Sequence, residues 1–253
     1  MRRLLAILAL LQLVPAMAAA DELVLAVGHS VPPYVIAENW SGLEYDVVRE
    51  ALALEGHTVK PRLMALARVP KELEAGLADA AMTMRPDSGV QAFYSDSHVT
   101  YRNFAITLAD RDFTINRVED LAGHSVVAFQ NAAKYLGPAF AATAAGNSHY
   151  REEAGQALQP LLLFLGRTDV VVADRNIFGW FATSPEVEAK VDARQRLRFH
   201  PIFPPTDYFV AFRDQALRDS FNRGLKRLKE SGEYRRILDR YVRYLREEDG
   251  LRH

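Results

Sequence analysis

The side chains best suited to exchange protons in this sequence are Glu44, Asp96, His98 and Asp174. A carboxylate or imidazole held against a substrate is what general acid–base catalysis requires. Their spacing forms no recognisable catalytic pair, and the remaining histidines, at 29, 57, 124, 149, 200 and 253, are scattered. The His-Glu-x-x-His, Gly-x-Ser-x-Gly and phosphate-loop patterns are absent, so neither a metal centre nor a bound cofactor is expected. The chain has no cysteine, which removes thiolate nucleophiles, disulfides, iron–sulfur clusters and cysteine-based zinc sites. Its 31 basic and 32 acidic residues leave a net charge of −1. No basic excess is available to neutralise a phosphate backbone, which excludes a dedicated nucleic-acid binder.

The elements that must position these groups read as α/β. The chain of 253 residues is 49% hydrophobic, an ordinary globular composition. Residues 22–27 read as a buried strand, 43–54 as a helix with Leu43, Val47, Ala51 and Leu54 on one face, and 57–64 as a second strand. A short helix over 69–75 and a strand over 78–84 complete a βαβαβ unit. A second unit of the same kind follows. It has strands at 103–108, 125–129 and 170–173, a short helix at 118–123, and helical stretches starting at 131, 154 and 176. Asp174 falls at a helix N-cap position. A strand at 208–212 precedes two amphipathic helices, one lined by Leu217, Phe221, Leu225 and Leu228, the other by Ile237, Leu238, Tyr241, Val242 and Leu245. Two such units imply two lobes. Ligands of open α/β sheets bind at the carboxyl ends of strands and at helix N-termini, so a cleft between lobes is the expected site.

The first twenty residues are a separate object. Arg2 and Arg3 precede an apolar run over 4–14, then Pro15 and Ala16-Met17-Ala18-Ala19-Ala20. This is the layout of a cleaved secretory signal peptide, with the cut expected after Ala20, or alternatively after Ala18. The run is too short for a membrane span, which needs about 20 residues. The mature chain is therefore expected to be exported and not embedded in a membrane.

A series of motifs carries a family resemblance. In order they are Pro32-Pro33-Tyr34, Gly42-Leu-Glu-Tyr-Asp46, Leu73-Glu-Ala-Gly-Leu-Ala-Asp79, Tyr94-Ser95-Asp96, Asp120-Leu-Ala-Gly123 and Gly166-Arg-Thr-Asp-Val-Val-Val-Ala-Asp174. The chain resembles the periplasmic solute-binding proteins of polar amino-acid ABC transporters, the family 3 extracellular solute-binding proteins of the type II periplasmic binding fold. The resemblance implies a two-lobed clamshell, each lobe a mostly parallel sheet flanked by helices, with two inter-lobe crossings. Lobe one would be 21–108 plus 206–253, and lobe two 109–205. It further implies a monomer in the periplasm that captures a small polar, amine-bearing solute by hinge closure and delivers it to a permease in the inner membrane. The alternatives are a ligand sensor or other non-transport binding protein of the same fold, and, further off, an exported cyclohexadienyl-type dehydratase.

The resemblance also assigns a pocket. Asp174 matches the aspartate that holds a ligand ammonium through a charge-assisted hydrogen bond. Thr83 matches a hydroxyl donor on the first lobe, and Tyr34 an aromatic near the cleft mouth, with Trp40 and Tyr101 as further walls. Two departures concern the ligand carboxylate. The family arginine that clamps it is Ser88 here, so Arg85, three residues earlier, is the candidate replacement. The family glycine–threonine pair is Asn131-Ala132, where Asn131 offers an amide or caps the following helix. The amine partner is kept and both carboxylate recognisers are altered, so the ligand class is the open question.

Overall fold

A computed structural model of the protein describes residues 22–252 except 244, 248 and 249; the expected signal peptide lies outside the described residues. The chain begins with β1 (Glu22–Val27), α1 (Leu43–Ala53), β2 (Thr58–Leu63), α2 (Val69–Glu74), β3 (Ala80–Met84), β4 (Phe93–Tyr94) and β5 (Val99–Tyr101). It continues with β6 (Asn103–Leu108), β7 (Val126–Phe129), α3 (Ala132–Tyr135), α4 (Pro138–Gly146), β8 (Tyr150–Glu153), α5 (Leu158–Phe164), β9 (Val170–Asp174), α6 (Arg175–Ala182), α7 (Pro185–Glu188) and β10 (Leu197–His200). It closes with β11 (Thr206–Phe212), α8 (Gln215–Glu230), α9 (Glu233–Tyr241), β12 (Leu245–Glu247) and β13 (Gly250–Arg252).

Two sheets organise these elements, with strand orders β2-β1-β3-β11-β4 and β13-β12-β10-β6-β9-β7-β8. Each is built on a parallel triad. β1 lies between β2 and β3, and β7 between β8 and β9, all in parallel register. The central strands are apolar almost throughout because helices cover both faces; all five residues of β9 are buried. Beside each triad runs one antiparallel strand, β11 against β3 and β6 against β9. A strand that arrives from the other lobe enters in the opposite sense, so each sheet is mixed rather than parallel throughout.

The crossing points follow from the pairing. A boundary at 108/109 would leave β6 in lobe one, but β6 bonds only to β9 and β10 of the second sheet. β5 still pairs with β11 in the first, so the chain changes lobes at Arg102. The return runs through 201–205. A third passage was not anticipated: Leu245, expected on the last helix, lies in β12, which pairs with β10. Helix α9 stops because its C-cap, Val242, is extended. The helix expected from 131 is also split, into α3 and α4, at Gly137 with φ +91°.

Cores lie on both faces of each sheet. In lobe one, α1, α8 and α9 cover one face through Val47, Ala51, Phe221, Leu225 and Ile237, and α2 covers the other through Val69 and Leu73. Helices α1 and α8 touch at Gly224, where an added Cβ would stand 1.9 Å from the Ala51 carbonyl oxygen. Among the described residues no helix is long and apolar enough to cross a membrane.

Candidate functional site

The loop bearing Tyr34 is tied to the start of α1. The unpaired N–H groups of a helix's first turn need acceptors. Here the Pro33 carbonyl takes Leu43 N (2.8 Å), and the Tyr34 carbonyl takes Glu44 N (3.0 Å) and Tyr45 N (3.2 Å). Gly42 makes this approach possible: its φ is +128°, and a Cβ there would lie 2.4 Å from the Tyr34 oxygen. The Gly42-Leu-Glu-Tyr-Asp46 motif therefore fixes Tyr34 and Glu44 relative to each other.

Glu44 is fully buried and has three donors. Thr83 Oγ1 donates to Oε1 at 2.9 Å, His98 Nε2 meets Oε1 at 3.0 Å, and Tyr101 Oη donates to Oε2 at 3.0 Å. His98 is equally buried, and its Nδ1 has no partner. A proton on Nδ1 would be a buried donor without an acceptor, so the tautomer with the proton on Nε2 fits the site. Thr83 reaches Glu44 because β3 bulges. Phe209 pairs with Met84, but Ala211 pairs with Ala81, and Thr83 has φ +58°. Left-handed backbone is strained for a β-branched residue, and bulges of this kind re-aim a side chain.

Asp174 ends β9, caps α6 and is 3% exposed. Its Oδ1 accepts from Asn176 N (2.9 Å) and Ile177 N (3.1 Å), and its Oδ2 from Arg102 N (2.7 Å). The Tyr34 phenol donates to both oxygens at 3.1 Å and accepts from Asn176 Nδ2 at 3.1 Å. Burial pushes the Asp174 carboxyl up to about 6, opposed by these donors. The same burial, with the Asp174 charge beside it, holds the Tyr34 phenol well above its ordinary value, so it stays a donor. Between the two acids lies a tyrosine cluster. Tyr34 stacks on Tyr101 with centroids 3.7 Å apart, and Tyr208 meets Tyr101 edge-on at 4.7 Å. Burial and the Glu44 charge raise both Tyr101 and Tyr208.

The candidates read from the sequence are therefore distributed as follows. Asp174, Tyr34 and, through Glu44 and Tyr101, Thr83 converge on one polar cluster. Arg85 does not join it: it is largely exposed and pairs with Asp87. Ser88 Oγ lies 3.0 Å from Tyr94 Oη. Asn131 has φ +63° and makes no side-chain cap; the expected amide cap is absent because Glu152 satisfies that turn instead. The Glu152 carboxylate accepts from Asn131 N (2.6 Å), Ala133 N (3.1 Å) and Tyr150 Oη (2.8 Å), and these bonds hold its pKa low against burial. Trp40 packs on the lobe-one core, tilted against Tyr45. Asp169 is structural, accepting from Ser125 N and Oγ.

Sequence spacing missed the Glu44–His98 pair, which joins residues 54 apart, along with Glu152, Asn176 and Tyr208. The one available signal was Glu44 itself at a helix start beside Gly42. Chemically, the cluster presents two buried carboxylates whose donors are hydroxyl, imidazole and backbone N–H groups. Among the described residues neither has a Lys or Arg ion-pair partner. Buried acids without a countercharge attract cations.

Residues 23–244 match the family described as bacterial extracellular solute-binding proteins, family 3. No curated protein matches the sequence. Solved structures share the fold. A histidine kinase sensor domain with similarity to periplasmic binding proteins is 19% identical, at TM-score 0.65, over 90% of this chain and 99% of that one. The GluR0 ligand-binding core in complex with L-glutamate is 15% identical, at TM-score 0.67, over 88% and 99%. The substrate-binding protein of a polar amino-acid ABC uptake transporter from Streptococcus thermophilus is 15% identical, at TM-score 0.65, over 87% and 86%.

Proposed function

Since the chain belongs to the family 3 bacterial extracellular solute-binding proteins, we propose that it captures a small amine-bearing solute between its lobes, in the periplasm, and delivers it to an ABC permease. One observation carries the choice of ligand. Glu44 and Asp174 are buried, held by hydroxyl, imidazole and backbone N–H donors with no Lys or Arg side chain among them, and separated by three tyrosines. A ligand ammonium would supply the missing positive charge, with aromatic faces beside it. The groups that would receive a ligand carboxylate are otherwise engaged. Ser88 replaces the expected arginine, Arg85 pairs with Asp87, and Glu152 holds the Asn131 and Ala133 N–H groups. Burying a carboxylate without a partner costs several kcal/mol, so solutes with an amine and no α-carboxylate fit best.

A binding role is favoured over catalysis because His98, the histidine of the cluster, is wholly buried with its Nε2 held against Glu44 and so does not face a substrate.

Thermal unfolding of ligand-stripped protein against diamines, monoamines, amino acids and small carboxylates tests the reading. A ligand at about 1,000 times its Kd stabilises by about 4 kcal/mol. At roughly 2–4 °C per kcal/mol for a chain of this size, the midpoint should rise near 10 °C. Diamines and monoamines should give the shift. A shift confined to carboxylates without an amine refutes the assignment. Delivery is tested by reconstituting the liganded protein with an ABC permease of the polar amino-acid type, where ATP hydrolysis should rise.

A further inference from the structure

We propose that Tyr34 is a gate: its phenol occupies the ligand's place on Asp174 and must swing aside before an ammonium can bind. The inference rests on the reading that the ligand carries an ammonium. Asp174 is saturated by donors of the protein itself. Three of its four donors are backbone N–H groups of Arg102, Asn176 and Ile177, fixed by the crossing and by α6. The fourth, the Tyr34 hydroxyl, is the one donor that side-chain rotation can remove.

The geometry marks that donor as the loosest. It is shared between both oxygens at 3.1 Å, while a fully engaged hydroxyl on a carboxylate sits at roughly 2.5–2.7 Å. Asn176 Nδ2 holds the phenol oxygen at 3.1 Å. A carboxamide can turn to present its oxygen instead, so Asn176 can serve the phenol as donor and an ammonium as acceptor. The gate also has somewhere to go. A cavity of about 210 Å³ borders Tyr34 and Asn176 on the hinge side, walled by Leu43, Val99, Leu238 and Val242.

The gate filters by charge. A ligand that offers a neutral hydroxyl to Asp174 only replaces one hydroxyl with another. An ammonium replaces it with a hydrogen bond in which both partners are charged and so can displace the phenol. The tyrosine read from the sequence as a ligand contact is, on this view, the ligand's competitor.

The two roles predict opposite outcomes. Binding of 1,4-diaminobutane and of L-arginine would be measured by isothermal titration calorimetry on the wild type, Tyr34→Phe and Val242→Trp. Tyr34→Phe keeps the ring and removes the competing hydroxyl, so affinity should rise about tenfold, the low end of the equilibrium worth of one hydrogen bond to a charged group. Val242→Trp fills the cavity without touching Asp174, so affinity should fall tenfold or more. Weaker or unchanged binding by Tyr34→Phe in a wild type that binds amines overturns the gate and leaves the proposed function standing. Absence of binding by both overturns both. Binding by Tyr34→Phe alone supports both. Should Tyr34→Phe fail to fold, Val242→Trp decides: an unchanged affinity refutes the gate.

Discussion

Asp174 ties folding, pH and binding together. Its carboxyl lies at about 6 in the folded protein, against 3.8 when unperturbed. A folded-state pKa above the unfolded value means that the native state holds this proton more tightly. Stability from this group is therefore greatest below about pH 4, declines as pH rises to about 6, and is flat above. A difference of about two pKa units corresponds to about 3 kcal/mol of destabilisation above pH 7, of which about half remains at pH 5. Glu55, Asp120, Glu152 and Asp169 have lowered pKa values and work in the opposite direction, so the wild type alone does not isolate Asp174. The difference between wild type and Asp174→Asn does. By urea unfolding, the stability of the wild type relative to Asp174→Asn should fall by about 1.5 kcal/mol from pH 5 to pH 7.5. Any constant offset from the new amide cancels in that comparison. Amine affinity should move the other way, weakening up to tenfold per pH unit below pH 6 as the carboxylate is protonated. The groups facing it, the Tyr34, Tyr101 and Tyr208 phenols, titrate far above this window. A relative stability that is the same at both pH values would refute the account, because Asp174 would then ionise as an exposed carboxyl does.

Three further outcomes follow from packing and hydrogen bonding. Gly224→Ala drives a methyl into the Ala51 carbonyl, so α1 and α8 must separate; a loss of about 3 kcal/mol is expected, seen as a lower thermal midpoint. Glu44→Gln leaves a single carbonyl oxygen among three donors and sets its NH₂ against one of them, so it should destabilise the fold by about 1–3 kcal/mol and weaken amine binding in titration calorimetry. Glu152→Gln should lower the Tyr150 pKa toward its ordinary value, since Tyr150 is raised by burial and then by Glu152; ultraviolet titration of the phenol reads this directly.

Hydrophobic patterning was enough to place the first-lobe triad and the buried strand ending at Asp174, because strands covered on both faces must be apolar throughout. The N-cap role of Asp174 was equally local: a short acid between a strand and a helix accepts the first free N–H groups. Strands of two to four residues such as β4, β8 and β12 carry too little pattern to be read, and only their partners define them. The crossing at Arg102 was misplaced for the same reason, since β5 and β6 form one run in sequence and differ only in the sheets they join. What tertiary structure decided was the site. No spacing rule links Glu44 to His98, because packing within lobe one brings them together, or Tyr34 to Asp174 across 140 residues, because partners between lobes depend on where the chain crosses. Family resemblance in the sequence pointed to Asp174 as the proposed amine partner and to Ser88 and Ala132 where the family has arginine and threonine. The fold added that this acid is buried, saturated and covered by Tyr34, since only packing can remove water from a carboxylate and leave its charge without a counterion.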